Sequence, residues 1–212
     1  MVSQLKNQEL IQDNINNKFS SEVQLLLLAS RKTLSESNIN KVQVITSQVI
    51  DWQQVINLAK SHSVIPLVAH NLQKYCAKNL PDNIKTILKT EFRSNAIKNI
   101  YLSKELLEIV QLLKDNDIDY ICYKGASLAA SIYGDISFRQ FNDIDILICK
   151  KDLLKARDLF FSMGGKDYFS INIFTDKQKE YYVNSKIAHY FFINCAYTFE
   201  FKKSTVFLDL HW

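Results

Sequence analysis

Along this chain the apolar residues follow two regimes. Up to Asp115 they recur at three- and four-residue spacings, the period of one helix face; beyond it they bunch into short runs or alternate, the habit of strands. The first helical pattern opens at Ser20 or Ser21, either of which can cap it, with Glu22 in the first turn, and runs to about Leu34. Ser35–Asn40 reads as a polar break. A second helix over Ser47–Lys60 places Val49, Trp52, Val55, Ile56 and Ala59 at helical spacing, with Trp52 as a core anchor. Pro66 suits the first turn of a third helix, where its missing N–H costs nothing. That helix carries Leu67, Val68, His70, Leu72 and Tyr75. The longest pattern spans Asp82 to Asp115. Ile84, Ile87, Leu88, Phe92, Ala96, Ile100, Leu107, Val110 and Leu113 form a broad stripe that neither Gly nor Pro interrupts.

After a turn at Asp115–Asp117 the period changes. Ile118–Tyr123 is a short strand rich in β-branched and aromatic residues, ended by Gly125. Ala126–Tyr133 makes about two turns of helix. Gly134-Asp135 turns the chain, and a loop leads through Asn142 to a strand over Asp143–Cys149. A helix over Leu153–Met163 is closed by Gly164-Gly165. Strands over Phe169–Phe174, Ala188–Cys195 and Thr205–His211, with a polar helix over Asp176–Asn184, complete the reading. The expected class is α+β: a flexible arm over residues 1–19, a helical region over 20–115 that includes a long connecting helix, and a core over 116–212.

Composition narrows the function classes. With 212 residues, 47% hydrophobic and 23% charged, the chain can bury a real core and resembles a soluble globular protein. Its net charge of +4 suits an anionic substrate without the dense basic patch of a dedicated nucleic-acid binder. Cys76, Cys122, Cys149 and Cys195 form no C-x-x-C pair, which points to reduced thiols and a cytoplasmic protein. The first residues are polar rather than signal-like, and the aliphatic run Leu25–Ala29 falls far short of the roughly 18 residues a membrane helix needs, so no membrane partner is expected. His62 and His70 lack a Cys or carboxylate to complete a metal set, and the Asp115–Asp117 turn lacks the glycine and distal glutamate of a calcium loop.

The candidate chemistry sits between Tyr120 and Ile148. In Asp143-Ile144-Asp145 strand alternation puts both carboxylates on one face, where they repel and need a counter-charge; a hard divalent cation such as Mg²⁺ supplies it. Lys124-Gly125-Ala126-Ser127 lies at a strand-to-helix turn. There glycine lets the backbone approach a ligand, the first helical N–H groups face an anion, and Lys124 and Ser127 add donors. Arg139, just upstream of the aspartates, can bind phosphate in a fork geometry or hold the aspartates in place. Asp209 faces away from Leu208 and Leu210 on the last strand. It offers a third carboxylate for a two-metal site, with His211 on its face.

Together these pieces resemble the DNA polymerase β-like nucleotidyltransferase superfamily, and more closely the bacterial uncharacterised nucleotidyltransferase family. The resemblance rests on Lys124-Gly125, Tyr133-Gly134-Asp135, Arg139, Asp143-Ile144-Asp145 and Asp209-Leu210-His211-Trp212. Asp51-Trp52 and His62–Leu67 resemble the family's helical lead-in. It implies a polymerase β-like core, a mixed sheet with flanking helices, that is short at its C-terminal end because family members continue past the His-Trp strand. It also implies transfer of a nucleoside monophosphate from an NTP to an acceptor hydroxyl by a two-metal mechanism. Asp143, Asp145 and Asp209 would be the catalytic residues and metal ligands, and Lys124, Gly125, Ser127 and Arg139 the nucleotide-binding ones. The ion would be Mg²⁺, or Mn²⁺ in its place. The acceptor, whether small molecule, protein or RNA, stays open, as does a partner chain or further C-terminal region that completes the site. The superfamily turn usually reads Gly-Ser or Gly-Gly; here it reads Gly125-Ala126, with Ser127 one place late. Two other readings fit the same residues. One is a catalytically inactive or truncated nucleotidyltransferase-like module that binds nucleotide or regulates. The other is a toxin-like enzyme that nucleotidylates tRNA or protein, since abortive-infection nucleotidyltransferases share the K-G, Arg and D-x-D pieces.

Overall fold

The computed structural model describes residues 19–167, 196–201 and 206–212. All but Phe19 of the arm expected over residues 1–19, the strands over Phe169–Phe174 and Ala188–Cys195, and the helix over Asp176–Asn184 lie outside the described residues. The class is α+β: helices fill the first half and a five-stranded mixed sheet organises the second. The chain forms two compact units. One reaches Ile97 and takes in Ser137–Gln140; the other starts at Lys98, runs to Ile136 and resumes at Phe141.

The first unit is built from helices. α1 (Ser21–Ala29) is capped by the Ser20 hydroxyl, which accepts from the Val23 N–H. It stops earlier than its leucines suggest, at a Ser30 cap. Leu25, Leu26 and Leu28 are buried and Leu27 is not. The stretch read as a polar break is instead the start of α2 (Glu36–Thr46). Ser35 caps it by accepting from the Asn38 N–H, and Glu36 sits favourably in its first turn. Only Val42 and Thr46 of α2 are buried, so the helix carries little apolar signal. α3 (Trp52–Ser61) begins five residues later than the spacing predicts. Asp51 is its cap, accepting from Gln54 N at 3.0 Å, and Val49 lies outside the helix, fully exposed. α4 (Ile65–Cys76) carries Pro66 in its first turn, as expected. Its Asn71 is buried, donating from Nδ2 to the carbonyls of Ala29 (2.9 Å) and Arg31 (2.8 Å).

α5 (Asp82–Asp115) has the expected bounds and contributes to both units. Its buried face differs in part from the apolar stripe. Ile100 and Leu107 are exposed, while Asn95 and Asn99 are buried. The asparagines go inside because each serves a backbone carbonyl: Asn95 donates to Ser137 O at 2.8 Å and Asn99 to Ile136 O at 2.6 Å.

In the second unit, β1 (Tyr120–Cys122) leads through Lys124 to α6 (Gly125–Tyr133); the 3₁₀ turn at Ile136–Phe138 then carries the chain into the Ser137–Gln140 segment of the first unit. β2 (Asp143–Ile148) is followed by α7 (Leu153–Ser162), β3 (Gly165–Asp167), β4 (Ala196–Phe201) and β5 (Val206–His211). The strand order is β1-β2-β5-β4-β3. β2 and β5 pair in parallel and the other neighbours are antiparallel. The pattern does not anticipate β3 or β4. Ile144, Ile146 and Ile148 of β2 join Leu208 and Leu210 of β5 in a core with Leu113, Leu153 and Phe160. Alternation then turns the carboxylates of β2 and β5 to the opposite face.

Candidate active site

The β2–β5 register places functional side chains opposite one another. Asp145 is paired with Asp209, and His211 stands opposite Leu147, two residues along. Asp145 is 6% exposed. Its Oδ1 accepts from Lys124 Nζ at 2.9 Å and lies 3.1 Å from His211 Nε2. Among the described residues no hydrogen bond reaches its other oxygen. The His211 ring meets Tyr123 edge-on at 5.3 Å, and the Lys124 ammonium stands 5.0 Å from the Tyr123 ring centroid.

Lys124 and Gly125 reach this place through backbone geometry. Gly125 has φ +51°, a left-handed conformation that glycine adopts without penalty. A Cβ there would sit 3.5 Å from the Asp143 carbonyl oxygen and 3.7 Å from Phe141 Cδ2. The turn that starts α6 therefore presses against the strand that carries the aspartates. A narrow cleft between them is lined by Lys124, Gly125, Ala126, Asp143 and Asp145 over an apolar floor that includes Phe141. Ser127 lies in the first turn of α6. Burial pushes the pKa of the Cys122 thiol up, against a lowering pull from Ser127.

The aspartates differ electrically. Burial, then the negative charges of Asp145 and Asp209, pushes the Asp143 pKa above the ordinary carboxylate value, against the pull of Lys124. Burial acts in the same direction on Asp145. There the hydrogen bonds to His211 and Lys124 outweigh it, and the pKa falls below the ordinary value. The hydrogen bond to Asp145 in turn raises the pKa of Lys124. Lys98 of α5 donates to Asn142 Oδ1 at 2.6 Å; burial lowers its pKa, opposed by the charge of Asp143.

These contacts bear on a metal. Asp145, Asp209 and His211 offer ligand atoms that all lie within 4.8 Å of one another. Two carboxylates and an imidazole suit a divalent ion. Besides burial, the charges of Asp145 and Asp209 raise the Asp143 pKa, and a bound cation would relieve that repulsion. The residues present therefore fit the group. Asp143 is not one of the three, and His211, read in the sequence only as sharing Asp209's face, joins the set. Lys98 had no sequence signal, since a helical lysine reads as solvated. Arg139 belongs to the Ser137–Gln140 segment of the first unit, where its carbonyl accepts from Asn95 Nδ2 at 3.3 Å. No described helix is long and apolar enough to cross a membrane.

Comparison with known proteins adds three findings. Over 141 residues the chain is 30% identical to a protein of Mycoplasma genitalium named a probable ATP-dependent RNA helicase. The match takes in 66% of this chain and 32% of that protein, so the chain spans about a third of its relative's length. No solved structure matches the chain. The model of a family described as uncharacterised nucleotidyltransferase matches residues 48–212, a span that holds α3 through β5 and every side chain of the Asp145 cluster. The chain belongs to the uncharacterised nucleotidyltransferase family.

Proposed function

We propose that the protein transfers a nucleoside monophosphate from an NTP to an acceptor hydroxyl and releases pyrophosphate. The observation that carries this reading is the convergence of Asp145, Asp209 and His211 beside the Lys124-Gly125 turn, within a chain of nucleotidyltransferase family. The acceptor oxygen forms a bond to the α-phosphorus. The bond from that phosphorus to the bridging oxygen of the β-phosphate breaks, and its electron pair leaves with pyrophosphate. The acceptor's proton passes through a site carboxylate to water. Asp143, Asp145 and Asp209 hold the divalent ions, Mg²⁺ or Mn²⁺, with His211 as a further ligand or as the group that orients Asp145. Bound ions supply charge neutralisation at the attacking and leaving oxygens. Lys124 and the first N–H groups of α6 bind the β and γ phosphates, which Gly125 lets come close to the backbone. Ser127 lies on the same turn. Positioning and electrostatics dominate such reactions, so the work of this chain is to hold the chain of phosphates in line with the acceptor.

The test is incubation of the protein with each α-labelled NTP, Mg²⁺ and fractionated cell lysate, with pyrophosphate release and label transfer both followed. One NTP should label an RNA, protein or small-molecule fraction, and Asp145→Asn should lower pyrophosphate release by at least about a hundredfold, the scale of losing one main electrostatic contact. An Asp145→Asn variant with wild-type turnover would sink the assignment.

A further inference from the structure

Asp145 is the most enclosed carboxylate of the site, and its hydrogen bonds among the described residues converge on Oδ1. The two partners differ in freedom. His211 is carried on a central strand, its side chain is 15% exposed, and Tyr123 braces its ring. The Lys124 side chain is 47% exposed, and its ammonium can leave Oδ1 by rotation of its own stem with no change in backbone. Lys124 also stands at the start of α6, the end of a helix that favours anions. One ammonium thus has two anionic stations within reach: the Asp145 carboxylate, and any phosphate brought to the helix start.

We propose that Lys124 is the resident counter-ion of Asp145, so that the site takes up its divalent ion together with a nucleoside triphosphate rather than as a free ion. A free divalent ion approaching Asp145 meets an ammonium already hydrogen-bonded to one of its proposed ligand residues, and like charges at such range repel. A triphosphate arriving with its ion offers Lys124 a new partner. The ammonium moves from carboxylate to phosphate and the ion takes over neutralisation of Asp145 and Asp209, so neither Lys124 nor Asp145 is left without an opposite charge. Binding of ion and nucleotide is therefore coupled, and the coupling is reciprocal. This inference rests on the nucleotidyltransferase reading of the site.

The experiment is a titration of the 212-residue chain with Mn²⁺ alone, without nucleotide, with free ion read by its paramagnetic resonance signal. Lys124→Met should bind Mn²⁺ about tenfold or more tightly than the wild type, and Lys124→Gln should shift in the same direction. Adding Asp145→Asn to Lys124→Met should remove the gain. Circular dichroism selects the folded variants; should the Met variant fail to fold, the Gln variant carries the measurement. Lys124 variants that bind Mn²⁺ no more tightly than wild type, or a gain that survives Asp145→Asn, would overturn the proposal. Pyrophosphate release by the wild type separates this outcome from the broader reading. Turnover without a Mn²⁺ gain refutes only the counter-ion, and a gain without turnover keeps the counter-ion while refuting the transferase.

Discussion

Asp143 and Asp145 sit two residues apart on one strand, yet replacing each with asparagine should shift stability in opposite directions. The Asp143 pKa lies above its ordinary value of 3.8, so its charged form is penalised in the fold. At neutral pH that penalty is fully present, and Asp143→Asn removes it. Residues at i and i+2 on a strand are about 6.7 Å apart. At an effective dielectric constant of about 20, two unit charges at that range repel by about 2.5 kcal/mol. Lys124 offsets part of this and Asp143 is only half-buried, which leaves a net gain of about 1 kcal/mol for the variant. For a chain of this size that is about 2–4 °C in Tm. Asp145 behaves conversely. Its lowered pKa means the fold favours the carboxylate, a contribution present above the ordinary value of 3.8 and lost as pH falls through the lower, folded value. Asp145→Asn should therefore lose about 1–2 kcal/mol at neutral pH, discounted for the half-exposed Lys124. Calorimetry without metal, at pH 7.5 and again toward pH 4, is the assay. The Asp143→Asn gain should shrink as pH falls through the raised folded pKa, because the wild-type residue then carries a proton itself. The Asp145→Asn loss should persist down to about pH 4 and close below it. A destabilised Asp143→Asn, or two variants that shift Tm in the same direction at pH 7.5, would refute the assignment of opposite environments.

Two further outcomes test the frame around the site. Gly125→Ala should cost about 1–2 kcal/mol in urea denaturation from the left-handed backbone alone, since the added Cβ meets its neighbours at ordinary contact distance; a neutral result would mean that the turn relaxes. Asn71→Ala should cost about 1–3 kcal/mol, because the buried carbonyl of Ala29 and the part-buried carbonyl of Arg31 lose their shared donor. A loss below about 0.5 kcal/mol would show that water replaces it.

The helical half was legible where a period is sustained and its ends are marked. α5 has both, with Pro81 before it and the Asp115–Asp117 turn after it. α2 has neither: its two buried residues cannot build a visible stripe, and its cap alone specifies its start. Val49 misled in the other direction, an apolar residue at helical spacing that the fold leaves in solvent. Within the site, the alternation of Asp143 with Asp145 and the glycine turn are local facts that a sequence displays. The parallel register that sets Asp209 beside Asp145 is not local, and neither is the contact of Lys98 with Asn142. His211 fell between these cases. Its face was readable from its spacing to Asp209, but its bond to Asp145 needed the pairing of two distant strands.

The parallel pairing of β2 with β5 also sets the order in which the site comes into being. His211 and Asp145 are 66 residues apart in sequence, and no hairpin can bring parallel neighbours together. During synthesis β2 can associate with β1 early, but it waits for β5 before its other edge is closed. Until then Asp145 has only the Lys124 side of its final environment. Contacts of such separation form late and slowly, after the loop-closure entropy has been met. Nascent chains that have not yet delivered residues 206–211 therefore expose a strand edge and lack a formed centre, so the appearance of nucleotide-binding capacity during refolding would report closure of the sheet.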